Sequence, residues 1–234
     1  MSTPEEASGM LAPMTTMFDR LLPTEVVVVE AESGSLWETG LLPEEVPFVK
    51  GAVAKRVREF TAGRNCAREA MRRLGLSPGP IGVGPHREPL FPAGLMGSIT
   101  HTADYCAAAV TSRHDWIGIG IDAEANASLS PDVARSICGP NELKQLQDHL
   151  CPLHCPPEVV AFGLKEAFFK AVFPSCRRYL DFADARVEPA SDGALRIIPV
   201  EASLGDLLRP LEVSVSFAFD TRRVYSAVLI ARRN

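Results

Sequence analysis

The sequence predicts an α/β protein of two halves, each with short strands and one long helix, divided near Arg113. Two long segments of mixed apolar and polar residues, at about 48–74 and 158–173, predict the helices. Runs rich in β-branched residues predict strands before and after each helix. A chain of 234 residues with 46% hydrophobic content is long and apolar enough to bury the core that such a fold needs.

In the first half, residues 25–30 predict a buried strand, and a Pro-rich turn at 41–47 leads into the long helix. Basic and apolar residues alternate along this helix, so one face is expected to pack and another to meet solvent or anions, and Gly75 is expected to end it. The next segment, 77–97, contains five prolines and five glycines and predicts a long loop. Residues 105–112 predict a second strand.

In the second half, residues 117–123 predict a strand that the tight connection Arg113-His114-Asp115 joins to the preceding one. A helix is predicted at about 141–150, followed by a Cys- and Pro-rich loop at 151–157. The second long helix, 158–173, is expected to end at Pro174. Alternation at 211–220 and 224–231 predicts two more strands, with Thr221-Arg222-Arg223 as their hairpin turn.

Composition excludes several classes of protein. A net charge of -5 argues against a nucleic-acid partner, so an anionic ligand must meet a local cluster of Arg and Lys. No apolar run approaches the roughly 20 residues of a membrane span. The N-terminal residues lack the features of a signal peptide, so we expect a cytoplasmic protein whose six cysteines are reduced. We also expect a monomer without a membrane partner.

The strand at 117–123 carries the clearest chemical pattern. Alternation puts its isoleucines on one face and Gly118, Gly120, Asp122 and Glu124 on the other. Two carboxylates at this spacing repel each other unless a cation lies between them, and hard oxygen ligands suit Mg²⁺ or Mn²⁺. These residues alone leave open the alternative of a strand that runs into a solvated acidic turn.

A second cluster lies on the helix 158–173. Glu166 and Lys170 are four residues apart and share a face, with Lys165 about 100° around the helix from Glu166. The alternative is an ordinary surface ion pair worth about 0.2–0.5 kcal/mol. Four phenylalanines between positions 162 and 173 argue against it, because they leave little of the helix to face water.

A third cluster follows the Pro/Gly-rich loop. Backbone N–H groups of the loop, together with Ser98, Thr100 and His101, are groups that can bind a phosphate. A lone histidine is more often structural, but the position of His101 before the acidic strand makes it a candidate binding residue.

Four blocks in this order resemble the Sfp-type phosphopantetheinyl transferases, and among them the actinobacterial members that serve polyketide, nonribosomal peptide and fatty-acid synthesis. The blocks are Ala54-Lys55-Arg56-Val57-Arg58-Glu59-Phe60 with Gly63-Arg64-Asn65-Cys66-Ala67-Arg68, Glu88-Pro89 through Gly97-Ser98-Ile99-Thr100-His101, Gly120-Ile121-Asp122-Ala123-Glu124, and Lys165-Glu166-Ala167 with Lys170-Ala171. The resemblance implies an α/β (α+β) pseudo-dimer of two similar subdomains, 1–113 and 114–234, each with a small antiparallel sheet and a long helix, and an active site in the cleft between them.

The resemblance also implies an activity. The 4'-phosphopantetheine arm of coenzyme A would pass to a serine of an apo acyl or peptidyl carrier protein, giving holo-carrier and 3',5'-ADP. Magnesium, or manganese in its place, would be held by Asp122, Glu124 and Glu166, with Glu166 and Lys170 as catalytic residues.

Coenzyme A binding is implied for a wider set of residues. Lys165 and Lys170 would meet its phosphates, Arg56, Arg64 and His101 would bind the 3'-phosphate and adenine side, and Ser98 and Thr100 would line that side. Many relatives carry a lysine shortly before the Glu-Pro pair. This chain has His86 and Arg87 there, and its sequence does not say which replaces the lysine.

Three alternatives compete with this interpretation. A non-catalytic coenzyme A or carrier-binding module would tolerate loss of the metal carboxylates, yet all three are present. A nucleotide-dependent kinase would need a Gly-x4-Gly-Lys-Ser/Thr loop, which the sequence lacks. A zinc site could form from His149, Cys151, His154 and Cys155, although their spacing is unlike that of known zinc sites.

For an acidic carrier, Arg177 and Arg178 are a candidate docking patch.

Overall fold

The computed structural model describes residues 16–112, 116–153 and 155–233. Its strands are β1 Val27–Ala31, β2 Gly82–Val83, β3 Pro89–Leu90, β4 Met96–His101, β5 Cys106–Thr111, β6 Trp116–Ala125, β7 Ala185–Pro189, β8 Leu195–Pro199, β9 Leu211–Phe219 and β10 Arg223–Arg232. Its helices are α1 Ser35–Glu38, α2 Ala54–Arg73, α3 Pro131–Ile137, α4 Pro140–Leu150, α5 Pro157–Cys176 and α6 Ala202–Leu208.

Two three-stranded antiparallel sheets form the centre of the molecule. The first has the order β1-β5-β4 and the second the order β6-β10-β9. The hairpins β2-β3 and β7-β8 lie outside them. Each sheet is covered by one 20-residue helix, α2 on the first and α5 on the second. The predicted α/β class, with small antiparallel sheets and a long helix in each half, is confirmed.

Strand alternation divides the core into three apolar layers. In β5, Ala107 and Ala109 face the second sheet, whereas Ala108 and Val110 face α2. From the other side, Ile119 and Ile121 of β6 join the layer between the sheets. A third layer packs α5 against β10 and the helices around it. The two sheets therefore lie face to face between α2 and α5.

The second face of β6 is covered closely by α5. A Cβ atom added to Gly118 or Gly120 would overlap the backbone carbonyl oxygens of Ala171 and Ala167. The glycines allow the helix backbone to approach the strand backbone directly, a use to which only glycine is suited. The sequence predicted bare backbone on this face, and the structure shows that helix α5 occupies it.

Hydroxyl groups join the two sheets along their edges. The Ile121 N–H of β6 donates to Ser98 Oγ at 3.0 Å, and the Ala123 N–H donates to Thr100 Oγ1 at 3.2 Å. On the other side, Arg223 pairs with Glu32 at 2.6 Å and with Asp104 at 2.9 Å, which ties the β9–β10 turn to the first half. We call the Ser98 and Thr100 contacts the hydroxyl seam.

Several predicted elements need correction. The first long helix begins at Ala54, because Val46–Val49 form a separate 3-10 turn and Gly51 has a φ of 78°. Helix α5 continues beyond Pro174 to Cys176, and Arg177, which is left-handed, caps it. The Pro/Gly-rich segment contains the β2-β3 hairpin, and Met96–His101 is a strand whose partner β5 stabilises it. The connection Arg113-His114-Asp115 lies outside the described residues.

No helix in the described ranges is both long and apolar enough for a membrane crossing.

We expect Gly120→Ala to destabilise the fold by about 3 kcal/mol or more, because the methyl group has only backbone atoms of α5 to displace. Thermal and denaturant unfolding measure this loss. Gly205→Ala is the matched control, since Gly205 lies in the middle of α6 and its added Cβ would make an ordinary contact of 3.8 Å with Pro199. That variant should gain about 0.5–1 kcal/mol, and equal losses in both would contradict the close-approach argument.

Candidate active site

A cleft with a volume of about 750 Å³ lies between the two halves. Most of the predicted site residues line it, namely Arg56, Arg64, His86, Arg87, Ser98, Thr100, His101, Asp122, Glu166 and Lys170. Glu124 and Lys165 are not among the lining residues. The structure thus brings together, from four distant sequence blocks, ten of the twelve residues on which the interpretation depends.

The cleft has a local excess of positive charge in a chain whose net charge is -5. Six cationic side chains line it, from Arg56, Arg64, Arg87, Lys170, Arg177 and Arg178. Four carboxylates line it as well, from Glu59, Glu88, Asp122 and Glu166. An anionic ligand is therefore attracted to this cleft although the whole protein is acidic.

Asp122 lies at the point where β6, α5 and β4 meet. Its side chain is buried, with 4% exposure, which decides against the solvated acidic turn. Asp122 Oδ1 accepts hydrogen bonds from Lys170 Nζ at 2.6 Å and from Thr100 Oγ1 at 3.0 Å. Asp122 Oδ2 makes no hydrogen bond within the described part of the chain. One oxygen of this carboxylate is fixed, and the other is buried without a partner near Gly163 and Ser226.

Burial and the charge of Asp122 raise the pKa values of Glu124 and Glu166. Burial raises the pKa of Glu124 to about 7, and repulsion by Asp122 and Glu166 adds to this, while Lys170 opposes it. Burial likewise raises the pKa of Glu166, with Lys170 lowering it and Asp122 raising it. Negative charge is therefore crowded at this end of the cleft, and a bound cation would relieve the repulsion.

The donor set fits a hard divalent cation in its chemistry. Asp122, Glu124 and Glu166 offer carboxylate oxygens, the ligands that Mg²⁺ and Mn²⁺ prefer, and the unpartnered Oδ2 of Asp122 is one of them. As the side chains stand, no three His, Cys, Asp or Glu residues in the described ranges are grouped tightly enough to hold a metal. Binding would thus require side-chain adjustment by Glu124 or Glu166.

Arg56 and His101 form a pair on the opposite wall. Arg56 Nη1 lies 2.9 Å from His101 Nε2, and because a guanidinium can only donate, Nε2 accepts. His101 Nδ1 then carries the proton and faces Glu59 at 3.7 Å. Burial lowers the pKa of His101, and Arg56 lowers it further although Glu59 opposes this. The lowered pKa favours the neutral ring, so Arg56 supplies the positive charge of this pair.

Arg64 keeps its charge but is partly committed to structure. Its guanidinium lies 4.0 Å from the Phe60 ring and donates to the Gly82 carbonyl at 3.1 Å. Burial lowers the pKa of Arg64 to about 10, so it stays protonated at neutral pH. Arg64 therefore holds the start of the β2-β3 hairpin against α2 while it lines the cleft.

His86 and Arg87 differ in their freedom. The His86 ring lies between Phe173 and Tyr179, with ring centroids 5.4 and 5.0 Å away. Arg87 is exposed, has a left-handed φ of 67°, and makes no ion pair among the residues that the structure describes. Of the two, Arg87 has the free cation. The contact between His86 and Tyr179 joins residues 93 positions apart, and no local pattern could have predicted it.

Lys165 requires a correction. Its side chain is 1% exposed, and Nζ donates to Ile137 O at 2.7 Å, to Phe182 O at 2.9 Å and to Glu142. Glu142, also buried, accepts the Val187 N–H at 2.8 Å. Lys165 therefore anchors α5 to its neighbours and faces away from the cleft, so its predicted contact with coenzyme A phosphates is wrong. No role was predicted for Glu142, although its position three residues after Gly139 is that of a helix-capping carboxylate.

The remaining candidates lie apart from the carboxylates. His149 lies in the last turn of α4, where its Nε2 contacts the Gly193 carbonyl at 3.0 Å. In the Pro-rich loop that follows, Cys151 is exposed, and burial raises the pKa of Cys155 to about 11. His154 lies outside the described residues. Arg178 pairs with Glu201 at 2.6 Å and Arg177 lies 3.9 Å from Glu88, but Arg177, with 67% side-chain exposure, is the more open cation of the predicted docking patch.

Comparison with known proteins agrees with this geometry. A family model for the 4'-phosphopantetheinyl transferase N-terminal domain matches residues 44–111, and one for the 4'-phosphopantetheinyl transferase superfamily matches residues 118–217. The chain belongs to the 4'-phosphopantetheinyl transferase superfamily. The resemblance drawn from the four sequence blocks is confirmed, and the matched ranges contain every residue proposed for the site.

Relatives in this superfamily include two actinobacterial proteins. The 4'-phosphopantetheinyl transferase PptT of Mycobacterium tuberculosis is 40% identical over 151 residues, 64% of this chain and 66% of its own length. The 4'-phosphopantetheinyl transferase Svp of Streptomyces mobaraensis is 39% identical over 63% of this chain and 60% of its own length. The chain thus covers less than two thirds of either relative.

Solved structures are more distant. Holo-[acyl-carrier-protein] synthase from Neisseria meningitidis covers 50% of this chain and 99% of its own, with 23% identity and a TM-score of 0.40. The synthase from Helicobacter pylori, in complex with coenzyme A, covers 48% and 99%, with 20% identity and a TM-score of 0.36.

The corrected role of Lys165 generates a stability prediction. We expect Lys165→Met to lower the free energy of unfolding by about 3–5 kcal/mol, because it leaves the Glu142 carboxylate buried without its cation. Denaturant titration measures the loss. Lys144→Met, an exposed lysine on the neighbouring helix α4, is the control and should change stability little. A fully stable Lys165→Met protein would contradict the anchoring role.

Proposed function

We propose that this chain transfers the 4'-phosphopantetheine arm of coenzyme A to a serine of apo acyl or peptidyl carrier proteins, giving holo-carrier and 3',5'-ADP. Such carriers would serve fatty-acid, polyketide or nonribosomal peptide synthesis. The observation that carries the proposal is the meeting of Asp122, Glu166 and Lys170 in a cleft whose other charges are mainly cationic. A non-catalytic binding module on this fold would not need Asp122 and Glu166 beside Lys170 in its cleft.

In the proposed mechanism, the carrier serine attacks the β-phosphate of coenzyme A. Phosphoryl transfer depends mostly on positioning and on neutralising charge. Lys170, which Asp122 and the Ile121 carbonyl hold at the cleft, would supply positive charge to the pyrophosphate. Glu166 lines the same cleft and would accept the serine proton, directly or through water.

Asp122, Glu124 and Glu166 would hold Mg²⁺, or Mn²⁺ in its place. When bound, the ion supplies neutralisation of the phosphate charge that develops during transfer. The buried, unpartnered Oδ2 of Asp122 and the crowding of negative charge around it support this assignment.

Recognition of the nucleotide end would fall to the first half. We assign the 3'-phosphate and adenine side to Arg56, Arg64 and His101, with His101 as a neutral hydrogen-bonding partner. Arg87, an exposed cation without an ion-pair partner in the described ranges, is the better replacement for the lysine of relatives, and His86 would line the cleft beside it. Ser98 and Thr100 would act from the wall of the cleft.

The proposal extends to partners and organisation. An acidic carrier would dock near the mouth of the cleft, where Arg177 is exposed. We propose a cytoplasmic monomer divided into 1–113 and 114–234, and the six free cysteines are in keeping with a reducing compartment.

The direct test is mass spectrometry of a panel of apo-carriers incubated with this protein, coenzyme A and magnesium. We expect at least one carrier to gain the mass of one phosphopantetheine. If no carrier in a panel that a known transferase modifies gains this mass, the proposed reaction is wrong.

The proposed metal ligands generate a prediction about activity. Asp122→Ala, Glu166→Ala and Glu166→Gln should each abolish transfer. The Glu166 variants should keep the stability of the fold, because they remove charge from a repelling cluster. Asp122→Ala should also lower stability, because it removes the ion-pair partner of Lys170. Carrier mass and thermal unfolding measure the two effects. Asp206→Asn, at an exposed carboxylate on α6, is the control and should retain activity. Full turnover in Asp122→Ala, or in wild type with excess chelator, would overturn the metal assignment.

A further prediction concerns the 3'-phosphate. Dephospho-coenzyme A should lose about tenfold or more in kcat/KM, since a charge-assisted hydrogen bond to phosphate contributes about 1.5–3 kcal/mol. Arg56→Ala should erase most of this preference, whereas Arg58→Ala, a basic residue of α2 outside the cleft, should preserve it. Kinetics with both cofactors form a double-mutant cycle. A coupling near zero would show that Arg56 does not contact the 3'-phosphate.

A further inference from the structure

Thr100 differs from the other hydroxyl of the seam in what it contacts. Its Oγ1 donates to Asp122 Oδ1 at 3.0 Å and accepts the Ala123 N–H at 3.2 Å. Ser98 Oγ accepts the Ile121 N–H at 3.0 Å and contacts no carboxylate. Both side chains are 3% exposed, so both contacts are shielded from water. The seam needs a hydroxyl at each position, but only Thr100 reaches Asp122.

The direction of the Thr100 hydroxyl hydrogen is determined by its neighbours. Because the Ala123 N–H already occupies a lone pair of Oγ1, the hydroxyl hydrogen is free to point at an acceptor, and Asp122 Oδ1 is that acceptor. The Ala123 N–H of β6 thus helps to direct the hydroxyl hydrogen of Thr100 towards the Asp122 carboxylate. The contact crosses between the halves, from β4 to β6.

The consequence for Asp122 is a fixed orientation. Thr100 and Lys170 approach the same oxygen, Oδ1, and hold the carboxylate against rotation about its last bond. The other oxygen, Oδ2, makes no hydrogen bond in the described part of the chain. Groups outside the ligand shell that fix a ligand in this way commonly set metal affinity.

We propose that Thr100 is a positioning residue for Asp122: with Lys170 it fixes Oδ1 and so sets the orientation in which the carboxylate meets the metal ion. The inference rests on the proposed function, because it takes Asp122 as a metal ligand. In this proposal the Thr100 hydroxyl binds the Asp122 carboxylate and does not contact the bound coenzyme A.

The test is Mn²⁺ affinity, which is measured from the electron paramagnetic resonance signal of free Mn²⁺ with coenzyme A at saturation. Thr100→Val, which keeps the shape and removes the hydroxyl, should weaken Mn²⁺ binding about tenfold or more. Thr100→Ser keeps the hydroxyl and should bind Mn²⁺ like wild type. Ser98→Ala is the matched control, because it removes the other seam hydroxyl without touching Asp122. It should lose thermal stability as Thr100→Val does, yet keep its Mn²⁺ affinity.

Two results would overturn the inference while the proposed function stands. One is wild-type Mn²⁺ affinity in Thr100→Val, and the other is an equal loss in Ser98→Ala, which would make the effect a general weakening of the seam. Calorimetry of coenzyme A binding without divalent ions shows whether the hydroxyl instead contacts the cofactor. A loss there with unchanged Mn²⁺ affinity would also contradict the positioning role. If Thr100→Val does not fold, Thr100→Ala carries the same expectation.

Asp122→Asn separates this inference from the proposed function. It should abolish tight Mn²⁺ binding, and unchanged binding would remove Asp122 from the metal site and overturn both proposals together. Loss in Asp122→Asn with none in Thr100→Val would overturn the positioning role alone.

Discussion

The close approach of helix α5 to strand β6 is the constraint on which the rest of this structure depends. Gly118 and Gly120 present no side chains to the helix, so the carbonyls of Ala167 and Ala171 lie directly on the strand. At this distance, Lys170 Nζ reaches both the Ile121 carbonyl and Asp122 Oδ1. Any side chain at the two glycines would push α5 away and separate its charged residues from those of the strand.

Helix α5 then divides its two lysines between structure and cleft. They are five positions apart and so about 140° apart around the helix, which sends them to different surroundings. Lys165 enters the core, where Glu142 and two carbonyls take all three of its ammonium hydrogens. A buried ammonium is tolerated only with such complete satisfaction, so no hydrogen remains for a ligand. Lys170, whose side chain is 31% exposed, is the cation that the cleft can use.

Neither half contains the site alone. The first half contributes Arg56, Arg64, Arg87 and the hydroxyl seam, and the second contributes Asp122, Glu166 and Lys170. The hydroxyl seam links the two halves next to Asp122, because Ser98 and Thr100 accept the backbone N–H groups of the residues before and after it, Ile121 and Ala123. The buried Arg223, paired with Glu32 and Asp104, adds a second link across that boundary. The geometry of the cleft therefore depends on how the two sheets pack.

The sequence by itself determined the α/β class, both long helices, the glycine-and-carboxylate strand and the family, because periodicity and ordered motifs are local properties. It did not determine that Met96–His101 is a strand, since that depends on pairing with β5. Nor did it separate Lys165 from Lys170, or predict that His101 is neutral, because burial and partners distant in sequence decide both. Tertiary structure decided which charges remain free: a buried charged group needs a partner, and only folding determines which groups are buried.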